Sequence, residues 1–135
     1  MNRFVESVAG VLEVAPEALS PDTPFRETEG WCSLKAFGLL IMLENDWRAP
    51  TGIDRFMELK TVRDLWREAF VSFAADLLKV PRENISGGTA FGSIPEWDSV
   101  NHLRLVMEAE QRFGVHYPLE RIPELKTIDD FLSPG

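Results

Sequence analysis

Sliding the chain along itself by 66 positions brings two stretches into register without a gap, and this constrains the fold more than any other feature. Phe4 and Val5 fall on Phe70 and Val71, Leu12 on Leu78, Thr23 and Phe25 on Thr89 and Phe91. Trp31 and Ser33 fall on Trp97 and Ser99, Glu44 on Glu110, and the block ELKTVRDL at 58–65 on ELKTIDDF at 124–131. The 135 residues therefore read as two copies of one unit, 1–68 and 69–135.

Each copy has the apolar spacing of helices joined by loops. Phe4, Val8, Val11 and Leu12 recur at three-and-four intervals, as do Phe70, Ala74, Leu77 and Leu78, and these helices stop near Pro16 and Pro81. Long loops rich in turn formers follow, PEALSPDTPFRETEG in one copy and PRENISGGTAFGSIPE in the other. The longest helix of each copy is predicted to run from Ser33 to Trp47 and from Ser99 to Phe113, with Cys32 and Asp98 in the capping position. A short helical turn is expected at 53–56 and at 119–122, and Thr61-x-x-Asp64 and Thr127-x-x-Asp130 have the spacing of capping boxes that open a last helix. Between the copies, 61–80 carries Val62, Leu65, Trp66, Ala69, Phe70 and Phe73 without any Gly or Pro. The last helix of copy one should run straight into the first helix of copy two, holding the copies in a fixed relation.

Composition narrows the class. Hydrophobic residues at 44% and charged residues at 27% suit a globular protein. The apolar run LKAFGLLIML is too short to span a membrane and carries Lys35, and Glu6 interrupts the N-terminal stretch where a signal peptide needs apolar residues. Cys32 is the single cysteine, which excludes an internal disulfide or a cysteine-based metal site. A net charge of −8 opposes binding to nucleic acid and favours partners with basic patches. A cytoplasmic protein without a membrane span is the expectation.

A serine that opens a long helix sits where unpaired backbone N–H groups and the helix dipole favour an anion, so a phosphodiester on its hydroxyl would be well placed. The stretch EWDSVNHLRLVMEAEQRFGV, 96–115, resembles the attachment segment of acyl carrier proteins and the related peptidyl carrier domains. In that family an Asp-Ser-Leu step opens helix two and the serine carries a 4′-phosphopantetheine arm. Asp98, Ser99 and Val100 match that step, with Val for the usual Leu, and Glu110, Phe113 and Gly114 match the family's later glutamate and Phe-Gly. The resemblance covers nearly all of both copies. It implies an all-α chain of two tandem acyl-carrier-like four-helix bundles joined by a continuous helix, and a carrier rather than an enzyme. It further implies Ser99 as the attachment residue, Asp98 as the residue that helps the phosphopantetheinyl transferase, and covalent 4′-phosphopantetheine as the cofactor. Separate enzymes that load and transfer acyl or aminoacyl thioesters would be the partners.

Copy one departs from this pattern, since Cys32 stands where the aspartate would be, although Ser33 remains as a second attachment candidate. Its helix is apolar on nearly every side over 34–43, which predicts burial against copy two or against another subunit, making copy one degenerate and a homodimer through 34–43 possible. An unmodified scaffold or dimerisation protein is the alternative. Cys32 itself reads as a small, partly buried side chain rather than a reactive thiol. Asp98, Ser99 and His102 have the letters of a hydrolytic triad, but adjacency on one helix start denies them its geometry. His102 is expected on the surface, His116 in a loop, and Glu108 and Glu110 as solvated or partner-facing acids. SGGTAFG lacks the Lys-Ser/Thr ending of a phosphate loop, and Trp31 and Trp97 should pin the loops onto the helices.

Overall fold

The computed structural model describes residues 2–132, and among them helices and loops are joined by isolated β-bridges only, with no strand. Five α-helices run in order: α1 Arg3–Leu12, α2 Ser33–Ile41, α3 Gly52–Glu58, α4 Val62–Leu78 and α5 Ser99–Phe113. Short 3₁₀ turns at Leu119–Glu124 and Ile128–Leu132 close the chain. Asn2 caps α1 by accepting from the N–H groups of Phe4 and Val5 at 2.7 and 3.2 Å, the usual way of satisfying first-turn donors.

The expected continuous helix is present. α4 runs unbroken for 17 residues through the sequence boundary at 68/69. Its second half buries Phe70, Val71, Ala74, Ala75 and Leu78, each 66 positions after a residue that α1 buries: Phe4, Val5, Val8, Ala9 and Leu12. Both helices end in a left-handed residue at φ 59°, Glu13 and Lys79. The long loops dock in the same way too. Phe25 N–H bonds to the Lys60 carbonyl and Val62 N–H to that of Thr23, and the same bonds recur from Phe91 to Lys126 and from Ile128 to Thr89.

Both capping boxes form, but the second opens a 3₁₀ turn, Ile128–Leu132, rather than the expected last α-helix. Asp64 accepts from the N–H groups of Lys60 and Thr61 at 2.9 and 3.1 Å while Thr61 Oγ1 accepts from Asp64 N–H, and Asp130 repeats this with Lys126 and Thr127. Burial pushes both carboxyls up, but the backbone donors, with Arg67 beside Asp64, outweigh it and hold both below the ordinary aspartate value. A depressed folded value stabilises above the unfolded value of about 3.9 and is lost as pH falls through the folded one. The thermal midpoint should therefore drop below about pH 4, and Asp64→Asn should flatten that acid limb in a scan of Tm against pH. An unchanged limb in the variant would remove Asp64 from this role.

One apolar core spans both halves. Trp47 and Phe113, themselves 66 positions apart, stack face to face at 5.1 Å and 6°. Phe113 also meets Phe70 at 5.3 Å and Phe73 at 5.6 Å, while Phe4 meets Trp47 at 5.2 Å. Buried Glu68, in the middle of α4, is held by Arg55 from the first half and Arg82 from the second, each at 2.8 Å. A buried carboxylate requires such partners, and here they cross the sequence boundary.

Two expectations fail here. The 34–43 helix is not buried on all sides. Leu39, Leu40 and Leu43 face the core, but Leu34, Phe37 and Ile41 are exposed at 77%, 58% and 40%. α2 meets α1 and α3, and among the described residues no element covers Leu34, Phe37 and Ile41; past Ile41 the helix widens into a π turn, Met42–Asp46. His102 is not on the surface. It shares the inward stripe of α5 with Leu105, Val106, Ala109 and Phe113. Its Nδ1 accepts from Trp97 Nε1–H at 3.1 Å and its Nε2 lies 3.0 Å from the Ile122 carbonyl oxygen, which satisfies the ring in the core.

Candidate attachment site

Ser33 and Ser99 are the first residues of α2 and α5, and both are exposed. Each follows a turn closed by its tryptophan, with Trp31 N–H on the Thr28 carbonyl and Trp97 N–H on that of Ile94, both at 3.2 Å. The tryptophans pin these turns as expected: Trp31 is half-buried against Phe25 at 5.7 Å, and Trp97 is buried against Phe91 at 5.8 Å. Both serines thus stand at a helix N-terminus, with its unpaired N–H groups and positive dipole end, and among the described residues neither hydroxyl is engaged in a hydrogen bond. A hydroxyl so placed is free to carry an arm through a phosphodiester, and the helix end favours the phosphate charge.

The caps before the serines differ in chemistry, not in conformation. Cys32 and Asp98 are both extended, at φ −155°, ψ 171° and φ −99°, ψ −175°. Asp98 Oδ1 accepts from Asn101 N–H at 2.9 Å, and Asn101 reaches back to the Glu96 carbonyl oxygen at 2.8 Å. Cys32 makes no capping bond, and it is exposed rather than partly buried because the cap lies where the loop opens to solvent. Cys32→Asp should therefore stabilise the chain by about 1 kcal/mol, read as a rise in the urea midpoint with unchanged slope. No rise would mean the α2 start cannot accept a side-chain cap.

Beyond the serines the two helices present the same outer stripe. Leu34, Phe37 and Ile41 on α2 correspond to Val100, Leu103 and Met107 on α5, exposed at 68%, 52% and 62%, and Ile53 corresponds to exposed Leu119. The inner side beside each serine differs. An apolar cleft of about 500 Å³ opens at Ser33 between Trp31, Ala36, Phe37, Ile53 and Met57. In the second half His102 replaces Ala36 and ties α5 to the turn at Ile122; the groove there, about 600 Å³, lies further along between Leu103, Met107, Tyr117 and Leu119 and does not reach Ser99.

Glu110 is half-buried and engaged within the chain: it accepts from Tyr117 N–H at 2.8 Å and lies 3.2 Å from His116 Nδ1, tying the loop beyond α5 back to the helix. Glu108 and His116 are exposed. Among the described residues no cluster of three or more metal-ligating side chains occurs, and no helix is long and apolar enough to cross a membrane.

The family model described as "Phosphopantetheine attachment site" matches residues 2–67, the half that holds Ser33. The acyl carrier protein of Thermosynechococcus vestitus (strain NIES-2133 / IAM M-273 / BP-1) is 34% identical over 66 residues, 49% of this chain and 82% of that protein. No solved structure matches the chain. Exposed, unengaged serines at two helix starts fit the cofactor of such proteins, 4′-phosphopantetheine held covalently. With a relative this similar over most of its length, the chain belongs to the acyl carrier protein family, whose members carry thioester-bound groups on that arm and do not themselves catalyse.

Proposed function

We propose that this protein is a double carrier, with arms on Ser99 and Ser33, that holds acyl or aminoacyl groups as thioesters and presents them to separate biosynthetic enzymes. The observation that carries the reading is the matched placement of the two serines, each exposed at the first position of its helix behind a tryptophan-closed turn. Residues 1–68 and 69–135 are then two carrier units built on one core. A degenerate first unit rested on Cys32 and on all-round burial of the 34–43 helix; the exposure of Leu34, Phe37 and Ile41 speaks against the second ground, and the family match falls on that same unit. Asp98 is the residue that helps the phosphopantetheinyl transferase, and the net charge of −8 suits partners with basic docking faces. A cytoplasmic location fits this role.

The test is intact mass after incubation of the full chain with coenzyme A, magnesium and a broad-specificity transferase. Two added arms are expected, the one at Ser33 slower because Cys32 stands in place of aspartate. Asp98→Ala should slow loading of Ser99, and Cys32→Asp should hasten loading of Ser33. A folded chain that takes no arm, beside a control carrier that does, would favour the second reading: an unmodified scaffold that pairs through the exposed stripe Leu34, Phe37 and Ile41.

A further inference from the structure

On the seam between the halves, away from both serines, lies a second kind of site. A pocket of about 370 Å³ opens between Trp47 and Arg48, just past the π turn, the end of α4, and the face of α5 that carries Arg104, Glu108 and Arg112. Arg48, Lys79, Arg104 and Arg112 line it together with Asp76 and Glu108. Four of the chain's 14 Lys and Arg residues thus meet at one place in a protein of net charge −8.

Arg55, Arg63, Arg67 and Arg82 are in ion pairs, and Arg3, Arg26 and Lys35 donate to backbone carbonyls. Among the described residues Arg48, Lys79, Arg104 and Arg112 have no carboxylate within 4.0 Å, even though two acids line the same pocket. Arg104 makes one long bond to Asn101 Oδ1 at 3.3 Å, and Arg112 lies over the Trp47 ring at 5.3 Å. Four cations beside two acids leave an excess of positive charge, which a bound anion would offset.

The fold does not require them. The positions 66 residues away are Gly114 for Arg48, Glu13 for Lys79, Gly38 for Arg104 and Asp46 for Arg112, none of them a cation. In the first half the matched contact is shut: Gly38 lies so close to Val11 that a Cβ there would meet Val11 Cγ1 at 3.0 Å. In the second half Leu77 and Arg104 hold those two places, and both line the open pocket. Arg48 occupies a left-handed position, φ 54°, of the kind that Gly114 fills at φ 65° in the other copy. Helix C-termini favour cations, which suits Lys79 and Arg48, but Arg104 lies in the middle of α5.

We propose that this pocket binds a small molecule through a phosphoryl group carrying at least two negative charges. Guanidinium forks match phosphoryl oxygens in geometry as well as charge. Two acids beside four cations leave a modest positive balance, which a dianion neutralises and a monoanion does not. The volume suits a small ligand rather than a protein segment. Pyrophosphate and a nucleoside diphosphate share this chemistry.

Isothermal titration of the arm-free full chain with sodium pyrophosphate and, separately, with adenosine diphosphate tests the proposal, with sodium chloride holding ionic strength constant. Saturable one-to-one binding is expected. The Arg48→Gln, Arg104→Gln pair, both exposed side chains, should weaken it at least about tenfold with an unchanged far-UV spectrum. Lys126→Gln, an exposed cation outside the pocket, should not. Equal affinity for the two probes identifies the phosphoryl group as what is read, and tighter binding of the nucleotide adds its base to the contact. Heat that never saturates, or binding that survives the double substitution, overturns the proposal.

Discussion

Ser99→Ala will lose one arm from the fully loaded chain, Ser33→Ala will lose the other, and the double variant will take none. The effect is all-or-none because alanine has no oxygen with which to form the phosphodiester, and no neighbouring hydroxyl shares the first position of α5. The hydroxyl is exposed and contributes no bond to the fold, so these variants should keep the parent's helical spectrum and Tm within about 0.5 kcal/mol of stability. That separates loss of attachment from loss of structure. Loading rates carry the finer information. At Ser99 the cap bond from Asp98 fixes the helix start, whereas at Ser33 the same conformation is held without a side-chain bond. If Ser99→Ala still gains an arm that Ser33→Ala lacks, attachment lies in the first unit alone and the family match at 2–67 has marked the working half.

The long-range plan was legible because the repeat supplies the first helix, the serine-led helix and the docked loop twice, although α3 and the start of α4 have only 3₁₀ turns as counterparts. Capping boxes at Thr61 and Thr127, the helix starts at Ser33 and Ser99, and the unbroken α4 all follow from residues adjacent in sequence, whose preferences act locally. What escaped depends on neighbours distant in the chain. His102 is polar and suggests a surface place, but its spacing to Leu105, Val106 and Ala109 puts it on the inward stripe, where Trp97 and the Ile122 carbonyl satisfy it. The 34–43 helix is apolar enough to be buried everywhere, but burial needs a neighbour, and pattern alone cannot supply one. The burial of Glu68 likewise depends on Arg55 and Arg82, which reach it from either side and from distant stretches of the chain. At the two helix starts, the exposed positions of Ser33, Ser99 and Asp98 were legible from a short motif, while the cleft beside Ser33 was not, because it depends on the small methyl of Ala36 standing where the second half has His102.

Phe113→Ala should be among the most damaging single substitutions, lowering stability by about 3–5 kcal/mol. The ring is fully buried and stands where the halves meet, stacked on Trp47 from the first copy and packed on Phe70 and Phe73 of the shared helix. Removing it leaves a cavity lined by aromatic rings, whose rigidity limits collapse. For a chain of this size such a loss is a large share of a total of roughly 5–15 kcal/mol. Two independent units would show it as a shift in one of two unfolding transitions. A single core predicts one transition, displaced as a whole. Urea unfolding followed by far-UV circular dichroism and by tryptophan fluorescence should therefore give coincident curves for parent and variant, with Leu34→Ala, an exposed position, moving neither by more than about 0.5 kcal/mol. Curves that separate in the variant would show that the halves fold apart, and that the Trp47–Phe113 stack joins two units already stable without it.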